Sequence, residues 1–230
     1  VWALLLAMPV PVHAAEPLLI FTSHWPPFTS SEPEAPGFFM EIVSRAFARS
    51  DIQVRYEFAP WARALNTVKT SRAFGAIPLA RTPERQKNHL FSRAVFMTRN
   101  PVIYNRSRNP DYDYPGDLKS LNKYRLGGML GWFYIETWRK EGIDFYPIHD
   151  HRMAFKMIRA SRIDLTVFDE FAGRHFLDQH PEFKPVIGFS KQSYENKNLY
   201  LMSARDYPGA RSLLSLFNAN LSAMKKTGEM

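Results

Sequence analysis

The stretch ARTPERQ, residues 80–86, gathers residue types that could recognise an anion. Thr82 is suited to cap a helix N-terminus and Pro83 to follow it as the first helical residue. Glu84 then falls in the first turn, where negative charge is favoured. Arg85 falls there too, with the wrong sign for the helix dipole, at a cost of about 0.3–1 kcal/mol if unpaired. Two explanations stay open. Arg85 pairs with a carboxylate such as Glu84 or Glu41, or it joins the free N–H groups of the helix start to hold an anionic ligand. A second stretch, HWPPF at 24–28, follows the apolar run LLIFTS. Pro26 and Pro27 cannot donate ladder hydrogen bonds, so the strand must stop there. Trp25 and Phe28 are thereby held at a strand's C-terminal end, the edge at which open α/β sheets bind ligands. Their rings either face a ligand or plug the core; for Phe28, packing is the expectation.

Rival chemistries find less support. His149 and His151 of the HDH triplet lack a third well-spaced ligand for a metal and are expected at the surface. His24 reaches solvent or the cleft beside Trp25. No Gly-x-Ser-x-Gly elbow occurs, and LGGMLG lacks the Lys-Ser/Thr of a phosphate-binding loop. There are no cysteines, which excludes disulfides, zinc-thiolate sites and cysteine nucleophiles. No cofactor is implied.

The elements that must position these residues alternate along the chain. Strands are predicted at 18–23, 53–59, 75–80, 101–105, 124–130, 144–148, 164–168, 185–189 and 199–204. Between them, GFFMEIVSRAFARS places Phe39, Ile42, Val43, Ala46 and Phe47 on one helical face. WARALNTVKT does so with Ala64, Leu65 and Val68, and HRMAFKMIRAS with Met153, Ala154, Met157 and Ile158. A long helix over 209–224 ends at Gly228. The alternation predicts an α/β protein with largely parallel sheets. The polar stretch RSRNPDYDYPGD at 106–117 reads as a connection at or within a second lobe.

With 230 residues and 45% hydrophobic content, the chain can build a core. Its net charge is +8, but the Lys and Arg are scattered, so nucleic acid is not an expected partner. Such a basic field steers anionic ligands or an acidic partner. Residues 1–15, VWALLLAMPVPVHAA, read as the tail of a secretory signal peptide: an apolar run too short for a bilayer, with small residues at its exit. Nothing later is apolar for long enough to span a membrane, so an exported, soluble, periplasmic protein is expected.

The run from HWPPFT through GFFMEIVSRAF, APWARALNTV, RTPERQKNHLFS and SRIDLTVFDEFAG resembles the family 3 extracellular solute-binding proteins over nearly the whole mature chain. The resemblance implies a two-lobe periplasmic binding protein of type II, a flytrap with a discontinuous first lobe and two hinge strands. It fits residues 16–98 plus 197–230 to the first lobe and 99–196 to the second. It implies a receptor for a polar amino acid or related small molecule, serving an ABC-type importer. Matched position by position, Trp25 and Trp61 correspond to the aromatic pair that sandwiches the ligand, Arg85 to the arginine that clamps a carboxylate, and Asp169 to the second-lobe carboxylate that takes an ammonium. On local sequence alone Trp25 and Trp61 serve equally as core, and Asp169 as a cap for EFAGRHF.

The sequence departs from the family pattern in places that bear on the ligand. GAIPLAR supplies Ala76, Pro78 and Ala80 where hydroxyl residues are usual, and LGWFYIE puts Trp132, Phe133 and Tyr134 where a small hydroxyl would close on the carboxylate. Phe133 is therefore counted with the ligand-binding candidates. Arg81 is expected to add a second positive charge, which brings a dicarboxylate into view. A monomer with a small-molecule ligand and a membrane permease or sensor partner is the reading. The alternatives are a ligand-sensing module without transport, or a small-acid dehydratase of the same fold using Asp169 or Glu170.

Overall fold

The computed structural model describes residues 16–230; the signal-like stretch 1–15 lies outside the described residues. Strand β1 (Leu18–Thr22) pairs in parallel with β2 (Val54–Phe58) on one side and β3 (Gly75–Ala80) on the other. The apolar run ends where expected. The Trp25 N–H donates to the Thr29 carbonyl at 2.9 Å and the Thr29 hydroxyl donates to the Ser23 carbonyl at 2.7 Å, so a tight loop replaces the ladder the prolines cannot join. Gly37 closes this loop at φ 93°; a β-carbon there would stand 2.5 Å from the Phe28 carbonyl oxygen.

Helix α1 (Phe38–Ala48) buries Phe39, Met40, Val43, Ala46 and Phe47, close to the predicted face, with Ile42 at its margin. Helix α2 (Trp61–Lys69) buries Trp61, Ala64 and Val68. After β3 come the short α3 (Pro83–Asn88) and β4 (His89–Phe91), a strand too brief to have shown a pattern. Strand β5 (Phe96–Asn105) begins five residues earlier than predicted. The second half holds β6 (Leu126–Met129), α4 (Ile135–Lys140), β7 (Tyr146–Ile148), α5 (His151–Arg159), β8 (Leu165–Val167) and α6 (Glu170–Gln179). On α5 the buried residues are His151, Ala154, Phe155 and Ile158, a face rotated from the predicted one, and Met153 is exposed. The two strands predicted at 185–189 and 199–204 form one 18-residue strand, β9 (Ile187–Ala204). Its middle, SKQSYENKN, is polar because it crosses between the two lobes, where it is largely exposed. Helix α7 (Ala210–Thr227) returns to pack on α1, with the Phe47 and Phe217 rings 5.3 Å apart, and ends in a left-handed Gly228.

The strand order is β2-β1-β3-β9-β5-β8-β6-β7, with β4 also on β9. Neighbours are parallel within β2-β1-β3 and within β8-β6-β7. The contacts of β9 and β5 with their neighbours are antiparallel. The sheet is thus parallel in each lobe and antiparallel at its centre, where two long strands carry the chain between lobes. The first lobe is discontinuous, since β9 and α7 rejoin β3, β4 and α1 at the end of the chain. Among the described residues no helix is long and apolar enough to cross a membrane.

Candidate functional site

The C-terminal end of β3 and the start of α3 place Arg85. Thr82 caps the helix as predicted, its hydroxyl accepting from the Arg85 N–H at 3.2 Å, and Pro83 occupies the first turn. The Arg85 side chain then turns inward. One guanidinium nitrogen donates to the Ala80 carbonyl at 2.7 Å and the other to the Gly131 carbonyl at 2.5 Å. The first bond is within the first lobe and the second crosses to the other. The residue as a whole is half-buried, but its charged end is enclosed, and this desolvation lowers the Arg85 pKa to about 10, with Glu136 and Glu84 opposing the fall. Neither carboxylate takes the guanidinium as an ion-pair partner: Glu84 reaches across to Lys140 at 2.6 Å and Glu136 pairs with Arg139.

Four aromatic residues wall the space in front of this arginine. Trp25 and Trp61 come from the first lobe, edge to face at 6.4 Å, and Trp132 and Phe133 from the second. The Trp132 indole lies tilted against Trp25 at 5.2 Å and Phe168 at 5.0 Å, and with its neighbours leaves a cavity of about 30 Å³, smaller than any amino acid. The indole N–H groups of Trp25 and Trp132 are both buried without an acceptor. Hydrogen-bonding groups this well enclosed ordinarily find a partner, so the two donors stand out among the groups around the cavity. Thr98 and Asn100 of β5 and Lys197 of β9 complete the lining from the hinge strands.

The residues predicted from sequence divide. Trp25, Trp61, Arg85 and Phe133 come together around this cavity. Phe28 is fully buried against Trp25, Phe38 and Phe96, a packing residue as expected. Arg81 is a correction. It is exposed and turns away from the cavity, its guanidinium lying 4.5 Å over Tyr200 and 5.4 Å over Phe91, because the adjoining β9 and β4 offer rings on that side. Asp169 is fully buried as the cap of α6, its Oδ1 accepting from the Ala172 N–H at 2.7 Å, and it stands outside the cavity lining. Its Oδ2 has no hydrogen-bond partner, and burial raises its pKa to about 7 against the opposing pull of the Ala172 amide and the nearby Thr98 hydroxyl. His151, expected at the surface, is buried, its ring stacked 5.6 Å from Phe168. Tyr134 also turns into the core, bonding the Met129 amide and the Val167 carbonyl.

Thr98, Asn100, Lys197 and the Gly131 carbonyl were not anticipated. For Thr98 and Asn100 a signal existed: two polar residues at spacing two on one face of a strand, both buried. Lys197 sits in a run of exposed polar residues and nothing local distinguishes it. Among the described residues no group of three His, Cys, Asp or Glu side chains is placed to hold a metal.

Two α/β lobes joined by two long strands, with an aromatic cleft and a buried arginine at the seam, define a type II periplasmic binding fold. Residues 18–230 match the bacterial extracellular solute-binding proteins, family 3, and the chain belongs to that family. Among solved structures, it is similar to a histidine kinase sensor domain described as resembling periplasmic binding proteins (TM-score 0.82, 14% identity, 94% of this chain and 93% of that one). It is also similar to the GluR0 ligand-binding core of Nostoc punctiforme in complex with L-glutamate (TM-score 0.77, 18% identity, 92% and 94%). A mutant of ArgBP from T. maritima aligns at TM-score 0.76 with 20% identity, over 92% of this chain and 90% of that one. No curated protein matches.

Proposed function

We propose that this protein is an exported periplasmic receptor that captures a small carboxylate-bearing solute between its lobes and delivers it to an ABC-type importer. The observation that carries the reading is Arg85: an enclosed guanidinium at the lobe seam, held by two neutral carbonyls and faced by indole walls from both lobes. A carboxylate makes stronger, charge-assisted hydrogen bonds with a guanidinium than a backbone carbonyl does. An incoming ligand carboxylate therefore displaces the Gly131 carbonyl, and Trp25 and Trp61 flank the rest of the molecule. Phe133 covers it from the second lobe. Asp169 stands one layer back, beside Thr98. Lobe closure is a hinge motion of residues 99–196 against residues 16–98 and 197–230, about β5 and β9. In this reading the protein works as a monomer, without cofactor or catalysis. A thermal-shift screen of amino acids, dicarboxylates and amines, followed by calorimetry on Arg85→Ala, tests it. A ligand bound equally well by wild type and variant removes Arg85 from the site.

The second reading is a sensor module that binds the same solute and signals to a membrane partner. The likeness to a histidine kinase sensor domain favours it. Both readings use one cleft, and crosslinking in cells separates them by the membrane protein recovered.

A further inference from the structure

The cavity lining carries no acidic side chain. Of the side chains lining the cavity, Arg85 and Lys197 are the charged ones, and both are cations; Lys197 pairs with Glu195, a half-exposed carboxylate that a ligand anion would replace. The buried indole donors of Trp25 and Trp132 add two more groups that need acceptors. Lys197 also lies 5.2 Å over the Phe133 ring, so a ligand cation would have to compete for that aromatic face with a cation already there. Asp169, whose Oδ1 caps α6 and whose Oδ2 is unpartnered, and Glu195, paired with Lys197, both stand outside the lining.

On another side of the same seam is a groove of about 900 Å³, formed by Ser23, His24 and Pro60 of the first lobe and by α5 and its flanks in the second. Buried Phe168 stands between groove and cavity, stacked on His151 of the groove and tilted against Trp132 of the cavity. Arg152, Lys156 and Arg162 line it, all exposed and none with an ion-pair partner among the described residues. Against them stand Asp150, whose carboxylate caps α5 through the Met153 N–H, and Glu32, whose charge acts on His24. Clustered cations at a cleft mouth concentrate anions and accelerate their arrival.

We propose that the solute is an anion with two separated acceptor groups and no ammonium, of the small dicarboxylate class, drawn in past Arg152, Lys156 and Arg162 and held by Arg85 and Lys197. The inference rests on the receptor reading and narrows it. It sets this cleft apart from those of structural neighbours described with arginine or L-glutamate bound.

The test is calorimetry and stopped-flow binding on the full chain with succinate, glutarate, glutamine, arginine and choline, at low and high salt. Succinate or glutarate should bind, with at least tenfold preference over arginine and choline. Replacing the groove cations together (Arg152→Ala, Lys156→Ala, Arg162→Ala) should slow association about tenfold at low ionic strength, and the difference should vanish in high salt. Those three side chains are exposed, so the variant retains its core. Lys197→Ala should weaken the dicarboxylate more than it weakens acetate. If arginine, glutamine or choline binds best and Arg85→Ala abolishes that binding, the receptor reading stands and the anion inference is overturned. If a dicarboxylate binds but neither Arg85→Ala nor Lys197→Ala changes its affinity, the assigned site is wrong. If none of the five solutes binds, both readings fall for these ligand classes.

Discussion

The guanidinium of Arg85 donates to the carbonyl of Gly131, 46 residues further along the chain and in the opposite lobe. One side chain thereby ties the two lobes at the seam, and in the proposed reading it also supplies the charge that meets the ligand. Holding the seam and binding a carboxylate are competing uses of the N–H that meets Gly131.

Arg85→Ala should remove most of the affinity for any carboxylate ligand, roughly 2–5 kcal/mol, since a carboxylate in the cleft is left without its charged partner. Arg85→Lys should recover only part of it, because an ammonium cannot fork two acceptors in one plane. Calorimetry reads both. Affinities within twofold of wild type for the alanine variant would contradict the assignment.

Gly131→Ala should hold the lobes apart. Gly131 has φ 81°, and a β-carbon would stand 2.7 Å from the Trp61 β-carbon. Left-handed backbone costs a residue with a side chain about 1–2 kcal/mol, and the Trp61 contact is with an atom fixed to the backbone. Small-angle scattering should show a larger radius of gyration for the variant, with a weakened ligand response. A wild-type scattering profile would show that the seam can absorb a methyl group.

Asp169→Asn should stabilise the protein in mild alkali. The folded carboxyl keeps its proton up to a pKa of about 7, whereas the unfolded one loses it near its ordinary 3.8. Stability from this group is therefore complete below pH 4 and lost as pH rises to 7. Asparagine caps a helix as well as aspartate and does not titrate. Urea unfolding should find the variant more stable at pH 8, by up to roughly 4 kcal/mol, and near parity at pH 4. A less stable variant at pH 8 would mean that the charged cap is favourable despite its burial.

His151→Phe should blunt acid sensitivity. Burial depresses the His151 pKa from 6.5 to about 4; Arg152, His24 and His175 act in the same direction and Asp150 against it. The folded state stays neutral while the unfolded state takes up a proton, so stability is complete above pH 6.5 and is lost as pH falls towards 4. Phenylalanine keeps the stack on Phe168. The wild type should lose up to roughly 3 kcal/mol over this interval from this residue, and the variant should lose less by that amount. Thermal melts at pH 7 and pH 4.5 decide it, and equal slopes would place the titration elsewhere.

Much of the fold was legible because it is written locally. The prolines after β1, the Thr82-Pro83 start of α3, the apolar face of α1 and the Gly228 stop of α7 each follow from neighbours within a few residues. What was misread has an equally local cause. Strand β9 is one strand because β5 pairs along its length, but its polar middle has no hydrophobic alternation to show it. The α5 face was rotated because Met153 and His151 exchange their usual places: a ring stack on Phe168 buries the histidine and leaves the methionine outside.

By itself, the sequence determined the alternation of elements, the capped helix that presents Arg85 and the aromatic residues close to the seam, because backbone propensity and apolar periodicity act over short stretches. Only the tertiary structure decided which groups share the cleft. It sent Arg81 out to Tyr200 and Phe91, set Asp169 behind Thr98, and brought Lys197 and the Gly131 carbonyl to the cavity. Those positions depend on how two lobes meet across strands 96–105 and 187–204. Contacts between residues so far apart in the chain are set by packing, which no short stretch encodes.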